Sequence, residues 1–481
     1  MEFKIHAKRV TGEKQIFLYD NEKSLLTTET GFTFSADVTG APSYGRESYA
    51  FGKDSPANKT ADVRLLKIQL GLSCNYSCDY CSQRFVERPK ETSKKDIEEF
   101  MSKLDNLNFD EERGVKIELW GGEPLVYWKT VKPLVEALQE KFSSWKQKPR
   151  YSMITNGSIL TPEIAFWLMA NDFFVAISHD GPGQATRGPD PFDEPEKRKL
   201  ILDMWRQLHR QGRMSFNSML TSTNYSRKEI YDWFVNLTGD EEVKLGEGAM
   251  VDAYDDGGMA NLLDTKAKHF AFRKTAFNDI YSNDGNIGFN GIIQKIDDFT
   301  NSILTHTPAT KVGQKCGMDM EDSIAVDLRG NILTCQNTSA EQMAPNGESH
   351  KIGHLSDVSS AKLSSATHWR NREHCSSCPV LHLCQGSCMF NEGDNWTATC
   401  ATTYSDHVAL FALSIEKITG GFVPYLIEGG NLPLERADIW GDLFEHHEAP
   451  PARKAFPVKV VASKEIVEGI EVFTKSEAVH E

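Results

Sequence analysis

The chain has 481 residues, 40% hydrophobic and 25% charged, with a formal charge of -15 at pH 7. That length exceeds one ordinary core, so more than one domain is expected, and the composition is that of a soluble globular protein. The acidic balance excludes an extended nucleic-acid surface, because a phosphate backbone attracts Lys and Arg.

The N-terminus, Met1-Glu-Phe-Lys-Ile-His-Ala-Lys8, has no apolar signal core, and the expected location is cytoplasmic. The most apolar later stretch, Val408 to Leu426, is interrupted by Glu416, Lys417 and Gly420-Gly421. No membrane association is expected from it.

Residues 1–63 read as a β-rich N-terminal cap or partner-binding region, with strands at Phe3–Ala7, Gln15–Tyr19 and Phe32–Ala36 between turn residues. Residues 64–255 alternate strand and helix. Strands are expected at Arg64–Leu72, Val115–Trp120, Tyr151–Thr155, Phe173–Ser178, Met214–Thr221 and Val243–Ala249. Helices are expected at Ser93–Leu107, Tyr127–Trp145, Thr161–Ala170, Glu194–Gly212 and Ser226–Leu237. Thr161-Pro162 places a cap and a proline at a helix start, and Ser226-Arg-Lys-Glu229 has the capping-box pattern. The alternation predicts an α/β fold: a partial (β/α)6 TIM-like barrel, followed by a small α+β cysteine-rich domain.

In such a barrel the chemistry sits at the C-terminal ends of the strands. The first strand runs into Cys74-x3-Cys78-x2-Cys81, and the second ends in Trp120-Gly121-Gly122-Glu123-Pro124. The third ends in Thr155-Asn156-Gly157, and the fourth in Ser178-His179-Asp180-Gly181-Pro182. Taken singly, these short motifs are ordinary turns; on successive strand ends they converge on one mouth. A zinc knuckle takes four ligands from Cys and His, and the first loop has no His. Three thiolates suit an iron–sulfur cubane with one iron left open.

Residues 256–310 read as a helical bridge, with a helix at Ala267–Tyr281. Of the 10 cysteines, those outside the first loop all lie between Cys316 and Cys400. The segment Ser323 to Cys335 has the pattern of a hairpin turning at Arg329-Gly330-Asn331, and Cys375-x2-Cys378-x5-Cys384-x3-Cys388 follows. Cys375-x2-Cys378 alone would also suit zinc. Residues 401–420 read as a closing helix. The extension 421–481 includes the strand-like Val458–Ala462 and is expected either to cover the mouth of the preceding domain or to hang outside it.

The three-cysteine loop, the Gly-Gly-Glu-Pro motif and the Ser-x-Asp-Gly-Pro motif together resemble the radical S-adenosylmethionine (SAM) enzymes. The resemblance implies that Cys74, Cys78 and Cys81 bind a [4Fe–4S] cluster whose free iron chelates SAM. Reduction then cleaves SAM to a hydrogen-abstracting 5′-deoxyadenosyl radical, with a flavodoxin or ferredoxin as electron donor. By the same resemblance Gly121, Gly122 and Glu123 hold the methionine amino group. Ser178 and Asp180 reach the ribose, and Asn156 and Tyr80 help seat ribose and adenine. His179 stands where similar proteins usually carry an apolar residue and reads as packing beneath the site.

The seven-cysteine order from Cys316 to Cys400, with Gly330, is similar to the SPASM domain over residues 311–420. It implies two auxiliary [4Fe–4S] clusters, three clusters in all. Cys375, Cys378, Cys384 and Cys400 would ligate the outer one, and Cys316, Cys335 and Cys388 the inner one. A further cysteine found in some members is absent, since Thr310 and Lys311 stand there. The inner cluster therefore has an open iron or a non-cysteine ligand, with Asp319, Glu321 and Asp322 nearby in sequence. The resemblance extends to ribosomal-peptide maturases and anaerobic sulfatase-maturating enzymes. The leading expectation is a maturase that cross-links a precursor peptide through a carbon–carbon, ether or thioether bond. Sulfatase-type oxidation and small-molecule chemistry are the alternatives. Sulfatase maturases place an aspartate base directly after the second SPASM cysteine, and here that residue is Gln336. No catalytic base is identifiable in the sequence.

Overall fold

A computed structural model describes residues 1–36, 47–84, 86–87 and 92–441, and the backbone of 464–467 and 470–473. Its centre is a 9-stranded sheet. Six strands lie in chain order and parallel across it. These are β4 (Leu65–Gln69), β5 (Lys116–Trp120), β6 (Arg150–Thr155), β7 (Phe174–Ser178), β8 (Met214–Leu220) and β9 (Leu245–Met250). They follow the short strands β1 (Glu2–Lys8), β2 (Lys14–Asp20) and β3 (Leu25–Thr28). Helices α1 (Ile97–Lys103), α2 (Trp128–Lys141), α3 (Pro162–Ala170), α4 (Pro195–Leu208) and α5 (Arg227–Thr238) connect the parallel strands. The α/β fold expected from the sequence is the one observed.

The period of two along each strand explains the layering. Leu66, Ile68, Ile117, Leu119, Val175 and Ile177 are buried in the apolar core. The alternate residues are more polar, and Glu118, Trp120, Ser152, Ile154, Ala176 and Asn217 line a shared cavity. Thr161 accepts the Ile164 N–H at 3.3 Å and Pro162 opens α3. Ser226 accepts the Glu229 N–H at 3.1 Å and opens α5, which a left-handed Gly239 closes.

The cysteine-rich region is built directly onto this sheet. Strand β10 (Ser323–Asp327) pairs parallel with β4 from Ser323↔Leu65 to Asp327↔Gln69. It then turns back through Arg329 and Gly330, as the pattern predicted, into β11 (Asn331–Leu333), with β12 (Lys351–His354) outside it. Asp327 fixes the turn by accepting the N–H groups of Arg329 at 2.9 Å and Asn331 at 3.0 Å. Helices α6 (Lys266–Tyr281), α7 (Asn290–Leu304) and the 27-residue α8 (Gly393–Thr419) pack together behind it.

Two expectations near the termini are corrected. Phe32–Ala36 is not a strand: the chain reverses at Gly31, where Thr28 donates to the Phe32 carbonyl at 2.8 Å, and Leu25–Thr28 takes the sheet position instead. The extension beyond residue 421 neither hangs free nor covers the mouth in its described part. Its strand β13 (Val423–Glu428) completes a four-stranded antiparallel sheet in the order β13-β1-β2-β3. Val458–Ala462 lies outside the described residues. That terminal sheet supports the cysteine-rich region, because Asn21 donates to the Ser376 and Cys378 carbonyls at 3.1 and 2.9 Å. No helix among the described residues is long and apolar enough to cross a membrane.

One buried ion pair fastens the barrel to the rear helices. Arg227, fully buried on α5, donates to both Asp406 oxygens at 2.7 and 2.9 Å and to the Gly248 carbonyl at 2.8 Å. Breaking one side leaves an unpaired charge in the core. Asp406→Ala is expected to cost about 3–5 kcal/mol, seen as a lowered urea midpoint. Asp406→Leu combined with Arg227→Met is expected to regain most of that loss.

Candidate active site

The C-terminal ends of β4 to β7 meet around the first cysteine loop. Cys74 and Cys81 accept backbone N–H groups from Tyr76 at 3.3 Å and Gln83 at 3.4 Å. Burial raises the Cys74 thiol. Burial likewise pushes Cys78 up to about 12, against the opposing pull of the Arg187 guanidinium. Cys74 and Cys81 also act on Cys78 electrostatically, so the loop brings the three thiols together.

Gly122 is required by close approach. A Cβ there would lie 2.5 Å from the Leu72 carbonyl oxygen and 2.6 Å from that of Ser73. Its N–H donates to the Gly71 carbonyl at 3.1 Å, and the Glu123 N–H donates to Ser73 at 3.0 Å, which docks the second strand end on the cysteine loop. The Glu123 carboxylate faces the protein. It accepts Thr155 Oγ1 at 2.6 Å, the Asn156 N–H at 2.7 Å and the Leu125 N–H at 3.0 Å. Burial raises its pKa. Asn156 in turn donates to Asn75, within the cysteine loop, at 2.9 Å.

Asp180 ties the fourth strand end to the same loop. Its carboxylate accepts the Tyr80 hydroxyl, the Arg187 guanidinium at 2.8 Å and the Met219 N–H at 2.9 Å. Both Glu123 and Asp180 thus accept protein donors on each of their carboxylate oxygens. Ser178 is buried at the end of β7 beside Asn217. His179 is fully buried, stacks on Trp233, accepts the Gly181 N–H and donates to Asp190 at 3.0 Å. It packs beneath the site.

The remaining thiols fall into two electrostatically coupled groups. Cys375, Cys378, Cys384 and Cys400 line one cavity with Tyr404 and Arg436, and Arg436 donates to Cys400 at 3.5 Å. Burial pushes Cys375 up to about 12 and Cys384 to about 11; Cys384 and Cys400 add to the first shift and Cys400 to the second. Cys316, Cys335 and Cys388 form the second group; burial first, then the neighbouring thiols, push Cys335 up to about 12. Cys316 has accessible surface but is desolvated by surrounding protein, as expected of a side chain facing a cavity. Among the described residues, no group of three or more Cys, His, Asp or Glu converges tightly enough for a single metal ion.

Several participants carried no sequence signal. Arg187 stands in the loop after Asp180, and its Nε is buried without a hydrogen-bond partner. Gln69 on β4 donates to the carbonyls of Gln336 and Thr338, both at 2.7 Å. Lys67 donates to the Gln336 side chain at 3.3 Å and lies 3.7 Å from Glu118. These contacts join the barrel lumen to the segment after Cys335.

Residues 68–234 match the Radical SAM superfamily. The chain carries a radical SAM domain. It is 25% identical over 198 residues to the radical SAM cyclopropyl synthase TigE of Paramaledivibacter caminithermalis, a match covering 37% of this chain. The match spans only 40% of TigE. It is 21% identical over 340 residues to the cysteine-type anaerobic sulfatase-maturating enzyme of Clostridium perfringens, covering 66% of this chain and 85% of that one. The solved structure of anSMEcpe with bound AdoMet and a peptide shares the fold. Its TM-score is 0.53 at 18% identity, covering 74% of this chain and 99% of that one. A radical SAM enzyme uses SAM and an iron–sulfur cluster, and the first loop fits them. It offers three half-buried thiols, two N–H donors to sulfur, an adjacent buried cation and a glycine floor.

Gly122→Ala is expected to push the cysteine loop off its strand end, because backbone carbonyls cannot swing aside. Anaerobically reconstituted protein would then retain less iron than the wild type and lose SAM cleavage, read by iron analysis and by 5′-deoxyadenosine release.

Proposed function

We propose that this protein is a peptide maturase that forms an intramolecular cross-link in a ribosomally made precursor. Cys74, Cys78 and Cys81 would hold the SAM-binding cluster. The peptide backbone at Gly121 and Gly122 would receive the methionine amino group, and Ser178 and Asn156 would flank the nucleoside. Asp180 would also position the cysteine loop through Tyr80, and Glu123 would do so indirectly by fixing Asn156, which reaches Asn75 of that loop. Cys375, Cys378, Cys384 and Cys400 would hold one auxiliary cluster and Cys316, Cys335 and Cys388 another. When bound, SAM and the clusters supply the hydrogen-abstracting radical and an acceptor for the electron left on the peptide.

Residues in and beside the barrel lumen would contact the substrate. Lys67, Glu118 and Asn217 offer donors and acceptors to an extended backbone, beside Trp120 and Ile154, which suit an apolar side chain. In support, anSMEcpe binds a peptide together with AdoMet in a similar fold, and TigE is a cyclopropyl synthase.

The observation that carries the cross-linking reading over sulfatase-type oxidation is Gln336. An amide cannot take a proton at neutral pH. This one is also engaged, with its side chain held by Lys67 and its carbonyl by Gln69. A cross-link through sulfur or oxygen also sheds the proton of the joining thiol or hydroxyl, and on this reading that proton would pass to solvent water rather than to the side chain at position 336.

The test is anaerobic co-expression with any short peptide encoded beside the gene, followed by high-resolution mass spectrometry. The expected product has lost one hydrogen pair per modified motif, resists fragmentation between the joined residues and vanishes with Cys74→Ala. A product that instead fragments normally and reacts with a hydrazide at one residue would establish oxidation to an aldehyde and overturn cross-linking.

A further inference from the structure

The inner set has three cysteines, so a cubane there lacks a fourth thiolate. Three acids follow Cys316 closely, and the structure separates them. Asp322 lies 3.6 Å from Arg64 and, with Glu321, lines a different groove beside Thr60, Asn108 and Arg113. Asp252, the carboxylate that acts on Cys388, is taken by Lys315 at 3.8 Å and Ser387 at 3.3 Å.

Asp319 is different. Its Oδ2 accepts the Gln314 N–H at 3.1 Å, while its Oδ1 is buried and has no hydrogen-bond partner. A buried carboxylate oxygen left unpaired is costly and calls for a physical explanation. Two tight turns, Gly317 N–H to Gln314 at 3.1 Å and Met320 N–H to Gly317 at 3.2 Å, fold this acid back beside Cys316. It is the leading charged neighbour of the Cys316 thiol. Behind the loop the buried Lys59 ammonium donates to the carbonyls of Met318, Met320 and Ser323 at 2.6, 2.8 and 3.0 Å. That anchors the turn and leaves a cation near both anions. Carboxylate oxygen is a recognised ligand for iron.

We propose that Asp319, through Oδ1, is the fourth ligand of the inner auxiliary cluster, closing it with oxygen where a cysteine is missing. The assignment rests on the two-auxiliary-cluster reading above. A closed cluster relays electrons and does not bind the substrate, so the assignment also places peptide contact in the barrel lumen.

The test uses the full chain with Cys74, Cys78 and Cys81 changed to serine, so that only auxiliary clusters are seen. The protein is reconstituted without air, reduced and examined by electron paramagnetic resonance with and without cyanide, a ligand for open iron. The wild-type inner cluster is expected to ignore cyanide. Asp319→Ala should acquire a cyanide-dependent shift in g-values, and Asp319→Cys should restore indifference at a lower reduction potential. If Asp319→Ala loses the cluster, Asp319→Cys decides: retention supports ligation and loss overturns it. A cyanide response in the wild-type residue set, or identical spectra and potentials in Asp319→Ala, overturns the proposal. Iron for a single auxiliary cluster before any change at Asp319 would show instead that the two-cluster reading itself is wrong.

Discussion

The first cysteine loop has no helix or strand of its own, and two buried carboxylates hold it in place. Glu123 spends its oxygens on Thr155, Asn156 and Leu125, and Asp180 on Tyr80, Arg187 and Met219. Each bridges neighbouring strand ends of the parallel sheet. A carboxylate buried this deeply persists only when its lone pairs are met by good donors. The same requirement that makes these residues expensive makes them exact positioning devices, since a small displacement of any strand end leaves a donor or an oxygen unpaired. The order of the mouth is therefore a consequence of polar satisfaction more than of loop length.

This division of labour changes how the short motifs should be read. Ser-x-Asp and Gly-Gly-Glu look in sequence like direct cofactor contacts. In the structure both acids accept donors from neighbouring strand ends and loops, a positioning role that stands beside the one the motifs imply.

How much of this was legible beforehand follows from range. Strand and helix positions in the barrel follow local periodicity, so Leu65–Gln69 through Leu245–Met250 fall where the alternation of apolar residues puts them. The first loop and the run from Cys375 to Cys388 were readable because their spacing is local, whereas the grouping of Cys316, Cys335 and Cys388 came only from the resemblance. The contacts of Lys67 and Gln69 with Gln336 span more than 260 residues and leave no pattern in either segment. Strand β13 was missed for the same reason: Val423–Glu428 is recognisable as a strand only once Glu2–Lys8 is present to pair with it. Arg187 stands in a loop where neither period nor turn chemistry marks it.

Charge compensation links the thiol groups to one another. An acidic chain that gathers thiolates in its interior needs positive charge there, because anions crowded in a low-dielectric region repel strongly. Each group has its own supply. Arg187 acts on Cys78, Lys67 and Lys59 on Cys316, Lys67 on Cys335, Arg436 and Arg372 on Cys375, and Lys315 and Lys295 on Cys384. Buried cations of this kind are themselves unfavourable unless matched. The Nε atoms of Arg187 and Arg372 lack partners, and burial lowers the pKa of Lys295 and holds Lys59 down to about 8. Carboxylates such as Asp180 and Asp252 meet part of this positive charge, and the rest faces the thiols, as anionic sulfur at these positions would require.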